Sequence, residues 1–136
     1  MITIKELELP AKLENLNPFM DFISNLAENS GFSAKRINDI NLAIEEILVN
    51  VFNYAYGNGE GIVKAICSID DTRFIIEIID KGSPFNPLVM ADPNISEDVE
   101  DRKIGGLGIY FVKNLMDEVY YKNIDNKNIL TLIIKK

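Results

Sequence analysis

The feature that most constrains this chain is the run Asn41–Tyr56, which would be apolar on nearly every side of a helix. At about 100° per residue, one face of that helix would carry Ile40, Ile44, Ile47, Leu48, Val51 and Ala55, and Leu42, Val49 and Phe52 would extend the apolar surface around it. A helix that is apolar almost all round belongs inside a protein. The pattern therefore predicts a helix buried at the centre of the core.

A narrow polar strip interrupts this helix. It consists of Glu46, Asn50 and Asn53, with Asp39 one or two turns earlier. Spacings of three and four residues place such side chains one above another. Because burying a carboxylate without a partner is costly, the strip should face water, another polar segment or a bound ligand. Taken alone, the strip is also compatible with the solvated face of an ordinary amphipathic helix.

The rest of the chain alternates between predicted strands and helices. Before the central helix we predict a strand at residues 2–9 and a helix at 13–28 that stops at Gly31. Ser33 is the predicted N-cap of the central helix, which ends near Tyr56. After it we predict an antiparallel hairpin of strands 61–70 and 73–80, a long loop, a helix at 107–116, and a second hairpin of strands 118–124 and 129–134 over residues 125–128. The strand at 73–80 is apolar on both faces and should be interior. This order indicates an α+β fold, a two-layer α/β sandwich in which helices cover one face of a mixed, mainly antiparallel sheet.

Composition excludes several classes of function. The 136 residues fit one domain, residues 1–136. The chain has no histidine and one cysteine, and its net charge is −7. Without histidine, Ser-His-Asp hydrolysis, a His-Glu-x-x-His zinc site and a phosphohistidine relay are excluded, so any metal should be oxygen-ligated magnesium or calcium. The acidic charge disfavours direct nucleic-acid binding. No signal peptide is visible, and no apolar run reaches the ~18 residues that a membrane span needs. Cys67 is the single cysteine, which excludes an internal disulfide. We therefore expect a cytoplasmic protein that does not enter a membrane.

Two further motifs lie downstream of the central helix. Asp80 ends the apolar strand, where its carboxylate could accept a hydrogen bond from an exocyclic amine such as that of adenine, and Gly82 would leave room for a flat ring against the backbone. The run Gly105-Gly106-Leu107-Gly108 opens a helix, and the N-termini of helices bind phosphate. Each motif in isolation is also compatible with an ordinary turn or a hinge.

Together, the three motifs resemble those of a known family. The pattern Glu46-x-x-x-Asn50, the pattern Asp80-x-Gly82-x-Pro84 and the glycine run are similar, in order and spacing, to the N, G1 and G2 boxes of the GHKL ATPases, which share the Bergerat fold. The segments 84–88 and 106–117 are typical of the anti-sigma-factor serine/threonine kinases of bacteria. The chain departs from that pattern in having Tyr54 where many relatives carry histidine and Asn86 in place of a common aspartate.

The resemblance implies a role for each matching residue. Asn50 would bind magnesium, and Glu46 would be the general base that takes the proton from a substrate hydroxyl. The nucleotide contacts would come from Asn53, Asp80, Gly82, Gly105, Gly106, Leu107, Gly108 and Thr131, the last of which would support the adenine contact from the final strand. Arg102 and Lys103 would neutralise the γ-phosphate or, alternatively, only offset the acidic loop beside them. Residues 86–104 would form an ATP lid.

The resemblance also implies an activity and partners. A Bergerat-type sandwich of this branch would bind Mg-ATP, phosphorylate a serine or threonine on an anti-anti-sigma protein of the STAS fold, and capture a sigma factor when free of that protein. We also expect a homodimer. Two alternatives stay open: a nucleotide-gated protein-binding module with little or no kinase activity, and an adaptor that keeps the fold but has lost ATP. The intact Glu46, Asn50, Asp80 and glycines argue against the adaptor.

Overall fold

The computed structural model of the chain describes residues 2–57, 59–84 and 112–136. These residues form strands β1 (Thr3–Pro10), β2 (Ile62–Ile69), β3 (Arg73–Asp80), β4 (Glu118–Ile124) and β5 (Lys127–Lys135), and helices α1 (Leu16–Asn29) and α2 (Ala34–Tyr54). The strands make a sheet in the order β1-β2-β3-β5-β4, in which every neighbouring pair is antiparallel. The predicted α+β sandwich is confirmed, and β3 is interior as its two apolar faces indicated.

Local chemistry sets the ends of both helices. Ser33 is the N-cap of α2, because its side-chain oxygen accepts a hydrogen bond from the backbone N–H of Arg36 at 3.2 Å. Helix α1 ends just before Gly31, whose φ of 86° lies in the left-handed region that glycine enters without strain. The predicted helix at 13–28 begins later than its pattern indicated, because Leu13–Asn15 form a turn of 3-10 helix before α1.

The core lies between the two helices and one face of the sheet. Alternate residues of the three central strands are buried there: Val63, Ala65, Cys67, Phe74, Ile76, Ile78, Leu130, Leu132 and Ile134. Helix α2 contributes Ile40, Ile44, Ile47 and Leu48. The prediction that α2 is buried all round is wrong, since Leu42 is 51% exposed. The sheet and α1 cover only part of the circumference of α2, so it is an amphipathic helix with an unusually wide apolar face.

The final hairpin is tighter than its sequence suggested. Asp125 and Asn126 have φ values of 53° and 63°, and they form a two-residue turn of the kind whose twist matches that of the strands. Lys127 and Asn128, which were predicted to lie in the loop, are therefore the first residues of β5. This placement brings Asn128 into register with Asp80 of β3.

The predicted lid at residues 86–104 lies outside the described residues. So does the first half of the helix predicted at 107–116, of which residues 112–116 are described and 112–115 are helical.

Candidate functional site

A cleft opens between the C-terminal half of α2 and the part of the sheet where β3 ends and β5 begins. Its lining residues are Ile47, Asn50, Val51, Tyr54, Ala55, Ile78, Asp80, Ser83, Tyr121, Asn128 and Leu130. The cleft holds about 520 Å³ of space not filled by protein atoms, part of which is open to solvent. Most of its wall is apolar, with a few polar groups at its two ends. That combination is typical of a site for a small organic molecule.

The polar strip of α2 reaches the cleft at Asn50. The Nδ2 group of Asn50 donates a hydrogen bond to Oε1 of Glu46 at 3.3 Å, one helical turn earlier. Glu46 is half-buried, and this burial raises the pKa of its carboxyl above the usual value, while the hydrogen bond from Asn50 acts in the opposite direction and the neighbouring Glu45 adds to the rise. Asn53 is exposed and lies outside the cleft lining. The strip thus places two of its three predicted site residues, Glu46 and Asn50, together.

Asp39 belongs to a different group of side chains. It is buried, and its Oδ2 lies 3.6 Å from Nζ of Lys35 and 3.5 Å from a guanidinium nitrogen of Arg36. Arg36 also donates to the carboxylate of Asp117 at 2.9 Å and to the carbonyl oxygen of Leu115. None of these residues lines the cleft. The group ties the start of α2 to residues 115–117, so Asp39 is a structural residue and not part of the strip that faces the site.

Asp80 is the buried carboxylate of the cleft, and it is 6% exposed. Its Oδ1 accepts a hydrogen bond from the backbone N–H of Gly82 at 2.9 Å and another from Nδ2 of Asn128 at 2.9 Å. Both donors are neutral, so no cation in the described part of the chain is bonded to the carboxylate of Asp80. Asp80 lines the cleft, and its role as an acceptor for an amine stays a prediction.

Gly82 has a different physical role from the one predicted. A Cβ atom at this position would overlap with the carbonyl oxygen, the carbonyl carbon and the Cβ of Ala55 at the end of α2. The backbone N–H of Ser83 donates to that same carbonyl oxygen at 2.8 Å. The space beside Gly82 is thus occupied by the protein itself, and glycine is required there because α2 and the segment after β3 approach so closely.

Tyr56 also connects the end of α2 to the sheet, through hydrogen bonds to Ile62 and Lys81. Its hydroxyl donates to the carbonyl oxygen of Ile62 at 2.6 Å and accepts from the backbone N–H of Lys81 at 2.8 Å. The ring packs against Gly61, where a side chain would overlap with it. Together with the hydrogen bond from Ser83 to Ala55, these contacts hold the end of α2 against the start of β2 and the end of β3.

The structure does not bring Thr131 into the cleft. Thr131 is paired with Glu77 and Tyr120 on the face of the sheet that points away from the helices. Asn128, three residues earlier, is paired with Asp80 and lines the cleft on the helix-covered face. In the last strand, the residue that contacts Asp80 is therefore Asn128 and not the predicted Thr131. Pattern analysis missed Asn128 because it assigned that residue to the loop before the last strand, and it gave no role to Tyr121.

Comparison with known proteins assigns the family. A family model described as the histidine kinase-like ATPase domain matches residues 9–134. The chain belongs to the histidine kinase-like ATPase domain family. Serine-protein kinase RsbW of Listeria monocytogenes serotype 4a is 30% identical over 122 residues, which cover 85% of this chain and 78% of that protein. The RsbW kinase of Bacillus cereus is 28% identical over 129 residues, which cover 92% of this chain and 81% of that protein.

A solved structure agrees with this family at the level of the fold. The crystal structure of the RsbU and RsbW domains of a Mycobacterium tuberculosis protein matches with a TM-score of 0.69 at 16% identity, over 97% of this chain. The chain spans about a third of that longer protein, 32% of its length. With the RsbW relatives, the resemblance to the GHKL ATPases and to their anti-sigma-factor kinase branch is confirmed.

The described part of this histidine kinase-like ATPase domain does not include every predicted site residue. Arg102, Lys103, Gly105, Gly106, Leu107 and Gly108 lie outside it. Among residues 2–57, 59–84 and 112–136, no group of three or more histidine, cysteine or acidic side chains is arranged to hold a metal ion. The role of Asn50 as a magnesium ligand stays a prediction. No helix of the described ranges is long and apolar enough to cross a membrane.

Proposed function

We propose that this histidine kinase-like ATPase domain is a serine/threonine protein kinase that binds ATP with magnesium in the cleft. One observation carries the proposal: a single cleft contains Asp80, a buried carboxylate among apolar side chains, and also Asn50, which is hydrogen-bonded to Glu46. Recognition of a base, binding of a metal ion and removal of a proton require groups of these three kinds. The 30% identity to a serine-protein kinase supports the same chemistry.

The Asp80 end of the cleft suits a purine base. Oδ1 of Asp80 is occupied by the donors of Gly82 and Asn128, whereas its Oδ2 has no hydrogen-bond partner within the described ranges. That oxygen can accept a hydrogen bond from the exocyclic amine of adenine. Apolar side chains wall this end of the cleft and suit a flat ring: Ile47, Ile78 and Leu130.

Asn50 offers a ligand for magnesium. Because its Nδ2 donates to Glu46, its Oδ1 is left as an oxygen ligand in the wall of the cleft. Magnesium keeps several of its waters in proteins and binds through one or two protein oxygens together with substrate phosphates. A lone amide oxygen therefore fits this ion better than it would fit calcium, which takes six to eight oxygen ligands, or zinc. When bound, magnesium neutralises the charge that develops on the phosphates.

Glu46 would act as the general base. Its carboxylate lies one turn from Asn50, so it is close to the group that would hold the metal and the phosphates. Burial raises the pKa of Glu46, and a base whose pKa lies closer to neutral pH takes up a proton more readily. The proton of the serine or threonine hydroxyl would pass to a Glu46 oxygen as the hydroxyl oxygen attacks the γ-phosphorus, and the bond from that phosphorus to the bridging oxygen would break to release ADP. Positioning and electrostatics supply much of the remaining rate.

The protein partner follows from the family. The RsbW relatives are named as serine-protein kinases, and we propose that this chain likewise phosphorylates a small antagonist protein of the STAS fold. When not engaged with that antagonist, it would bind a sigma factor. We further propose that the chain works as a homodimer in the cytoplasm. Sedimentation equilibrium at micromolar concentration measures the oligomeric state, and a monomer there would contradict the dimer.

The test compares two glutamates that are adjacent on α2. Glu46→Gln keeps the shape of the side chain and removes the proton acceptor, so transfer of the γ-phosphoryl group to a STAS partner should slow by about 10²–10⁴-fold. Affinity for Mg-ATP, measured by calorimetry, should change far less because Asn50 and Asp80 remain. The matched control is Glu45→Gln, since Glu45 is exposed and the hydrogen bond from Asn50 goes to Glu46 instead. It should keep a transfer rate close to that of the wild type.

Each negative result would exclude a different part of the proposal. Wild-type transfer rates in Glu46→Gln would remove Glu46 as the base. A wild-type chain that binds ATP and phosphorylates none of the STAS proteins encoded near its gene would favour the nucleotide-gated binding module instead. A chain with no measurable affinity for Mg-ATP would contradict the proposal as a whole and would leave the adaptor.

A further inference from the structure

Asn128 lies at the centre of a hydrogen-bond network that ends at Asp80. Its Oδ1 accepts hydrogen bonds from the hydroxyl of Tyr121 and from Nδ2 of Asn123, the latter at 3.1 Å. Its Nδ2 donates to Oδ1 of Asp80 at 2.9 Å and to the carbonyl oxygen of Ser83 at 3.0 Å. Asn128 is 6% exposed, so water competes little for these bonds. The side chain thus connects β4, β5 and the end of β3.

The two sides of the Asn128 amide face partners of opposite kinds. Donors lie on its oxygen side and acceptors on its nitrogen side. Turning the amide by 180° would place its nitrogen against Nδ2 of Asn123 and its oxygen against the carboxylate of Asp80, and buried polar groups that are paired wrongly are costly. The oxygens of Asp80 and Ser83, which can only accept, therefore hold the amide in one orientation, and the hydroxyl of Tyr121 and the amide of Asn123 bind its oxygen.

The orientation of Asn128 fixes that of Asp80. One oxygen of the carboxylate, Oδ1, is bound by Nδ2 of Asn128 and by the backbone N–H of Gly82, each at 2.9 Å. A carboxylate held by two donors on one oxygen presents its other oxygen in a single direction. We propose that Asn128, supported by the hydroxyl of Tyr121, is a positioning residue that aims Asp80 at one hydrogen-bond donor and so makes the cleft select purine nucleotides that carry a 6-amino group. This inference rests on the proposed binding of ATP and assigns the residues that set its base selectivity.

The test measures selectivity as well as affinity. The two probes are ATP and purine riboside 5′-triphosphate, which has the ring, ribose and phosphates of ATP but no 6-amino group. Tyr121→Phe keeps the ring that lines the cleft and removes only the hydroxyl. Asn128→Ala removes the amide itself. The matched control is Tyr120→Phe, because Tyr120 lies on the opposite face of β4, is 52% exposed and hydrogen-bonds to Glu118.

We expect both variants to lose affinity for ATP and to keep their affinity for purine riboside triphosphate. Calorimetry should show that ATP affinity falls about three- to tenfold in Tyr121→Phe, which loses the hydrogen bond to Asn128, and about tenfold or more in Asn128→Ala, which loses the hydrogen bond to the buried carboxylate of Asp80. Affinity for purine riboside triphosphate should stay within about twofold of the wild type because that probe makes no bond to Asp80. The ratio of the two affinities therefore falls in both variants and is unchanged in Tyr120→Phe.

The outcomes separate this inference from the proposed function. If the wild type binds ATP but the variants weaken both probes equally, Asn128 and Tyr121 only support the shape of the cleft, and the inference is wrong while the proposed function stands. Unchanged ATP affinity in Tyr121→Phe and Asn128→Ala would overturn it equally. If the wild type binds neither probe, both proposals fall together. Circular dichroism checks folding, and if Asn128→Ala does not fold, Tyr121→Phe alone decides.

Discussion

Gly82→Ala should weaken both the fold and the nucleotide site. The added methyl group would overlap with the carbonyl group and the Cβ of Ala55, all of which are held in the last turn of α2. Relief requires the segment after β3 to move away from α2. That movement breaks the hydrogen bond from the Ser83 N–H to the Ala55 carbonyl, which is 2.8 Å long in the native chain.

The expected loss of stability has two parts, the steric overlap with Ala55 and the broken hydrogen bond from Ser83. Forcing an extra methyl group into a packed contact costs about 1–3 kcal/mol, and loss of one hydrogen bond costs about 0.5–1.5 kcal/mol. The free energy of unfolding should therefore fall by about 2–4 kcal/mol, a large part of the ~5–15 kcal/mol that holds a typical domain together. Because the N–H of Gly82 also binds Oδ1 of Asp80, the same movement displaces that carboxylate. ATP affinity should fall by about tenfold or more, the equivalent of roughly 1.4 kcal/mol.

Urea denaturation followed by calorimetry with ATP measures both effects. Gly31→Ala is the control, because Gly31 has a φ of 86° but open space around its Cα. That variant should lose about 1–2 kcal/mol from backbone strain alone and keep its affinity for ATP. A Gly82→Ala chain that is as stable as the wild type, or that loses less stability than Gly31→Ala, would refute the close contact with Ala55 as the reason for glycine at this position.

Three further results are expected. Asp80→Asn should weaken ATP binding by about 30-fold or more, because an amide can present a donor to the donor of adenine and a charged hydrogen bond is lost; equal affinity in calorimetry would remove Asp80 as the base-reading residue. The transfer rate should rise with pH through a midpoint above 4.5, because burial raises the pKa of Glu46 and only its ionised carboxylate accepts a proton. If a Glu46→Gln chain keeps this rise, the rise belongs to another group. Because that pKa is raised, any stability that Glu46 contributes is complete below its unfolded pKa and is lost as the pH rises through the folded one. Thr131→Val should leave ATP affinity within about twofold of the wild type, since Thr131 lies on the far face of the sheet, whereas a tenfold loss would show that the residue acts on the site.

The features that local chemistry controls were predicted correctly from the sequence. The cap at Ser33 and the helix end before Gly31 depend on residues only a few positions away. The interior position of β3 follows from apolar side chains on both of its faces. The family could be recognised for a similar reason, because the order and spacing of its boxes are properties of the chain itself.

The face that a strand residue occupies depends on the exact register and could not be predicted. Thr131 and Asn128 are three positions apart, and because successive side chains of a strand point to opposite faces, an odd separation places them on opposite sides of the sheet. The sequence pattern predicted a hairpin turn of four residues at 125–128, whereas the structure has a turn of two residues. That difference decided whether Asn128 belonged to a loop or faced Asp80.

The sequence by itself determined the fold class, the family and the pair Glu46 and Asn50, because each of these depends on periodicity or on spacing within one helix. Only the tertiary structure decided what surrounds Asp80. The bonds from Asn128, the support from Tyr121 and the contact of Gly82 with Ala55 join residues that are 27 to 48 positions apart or that lie on different strands. Such partners are chosen by the packing of α2 on the sheet, and no local pattern records which residues that packing brings together.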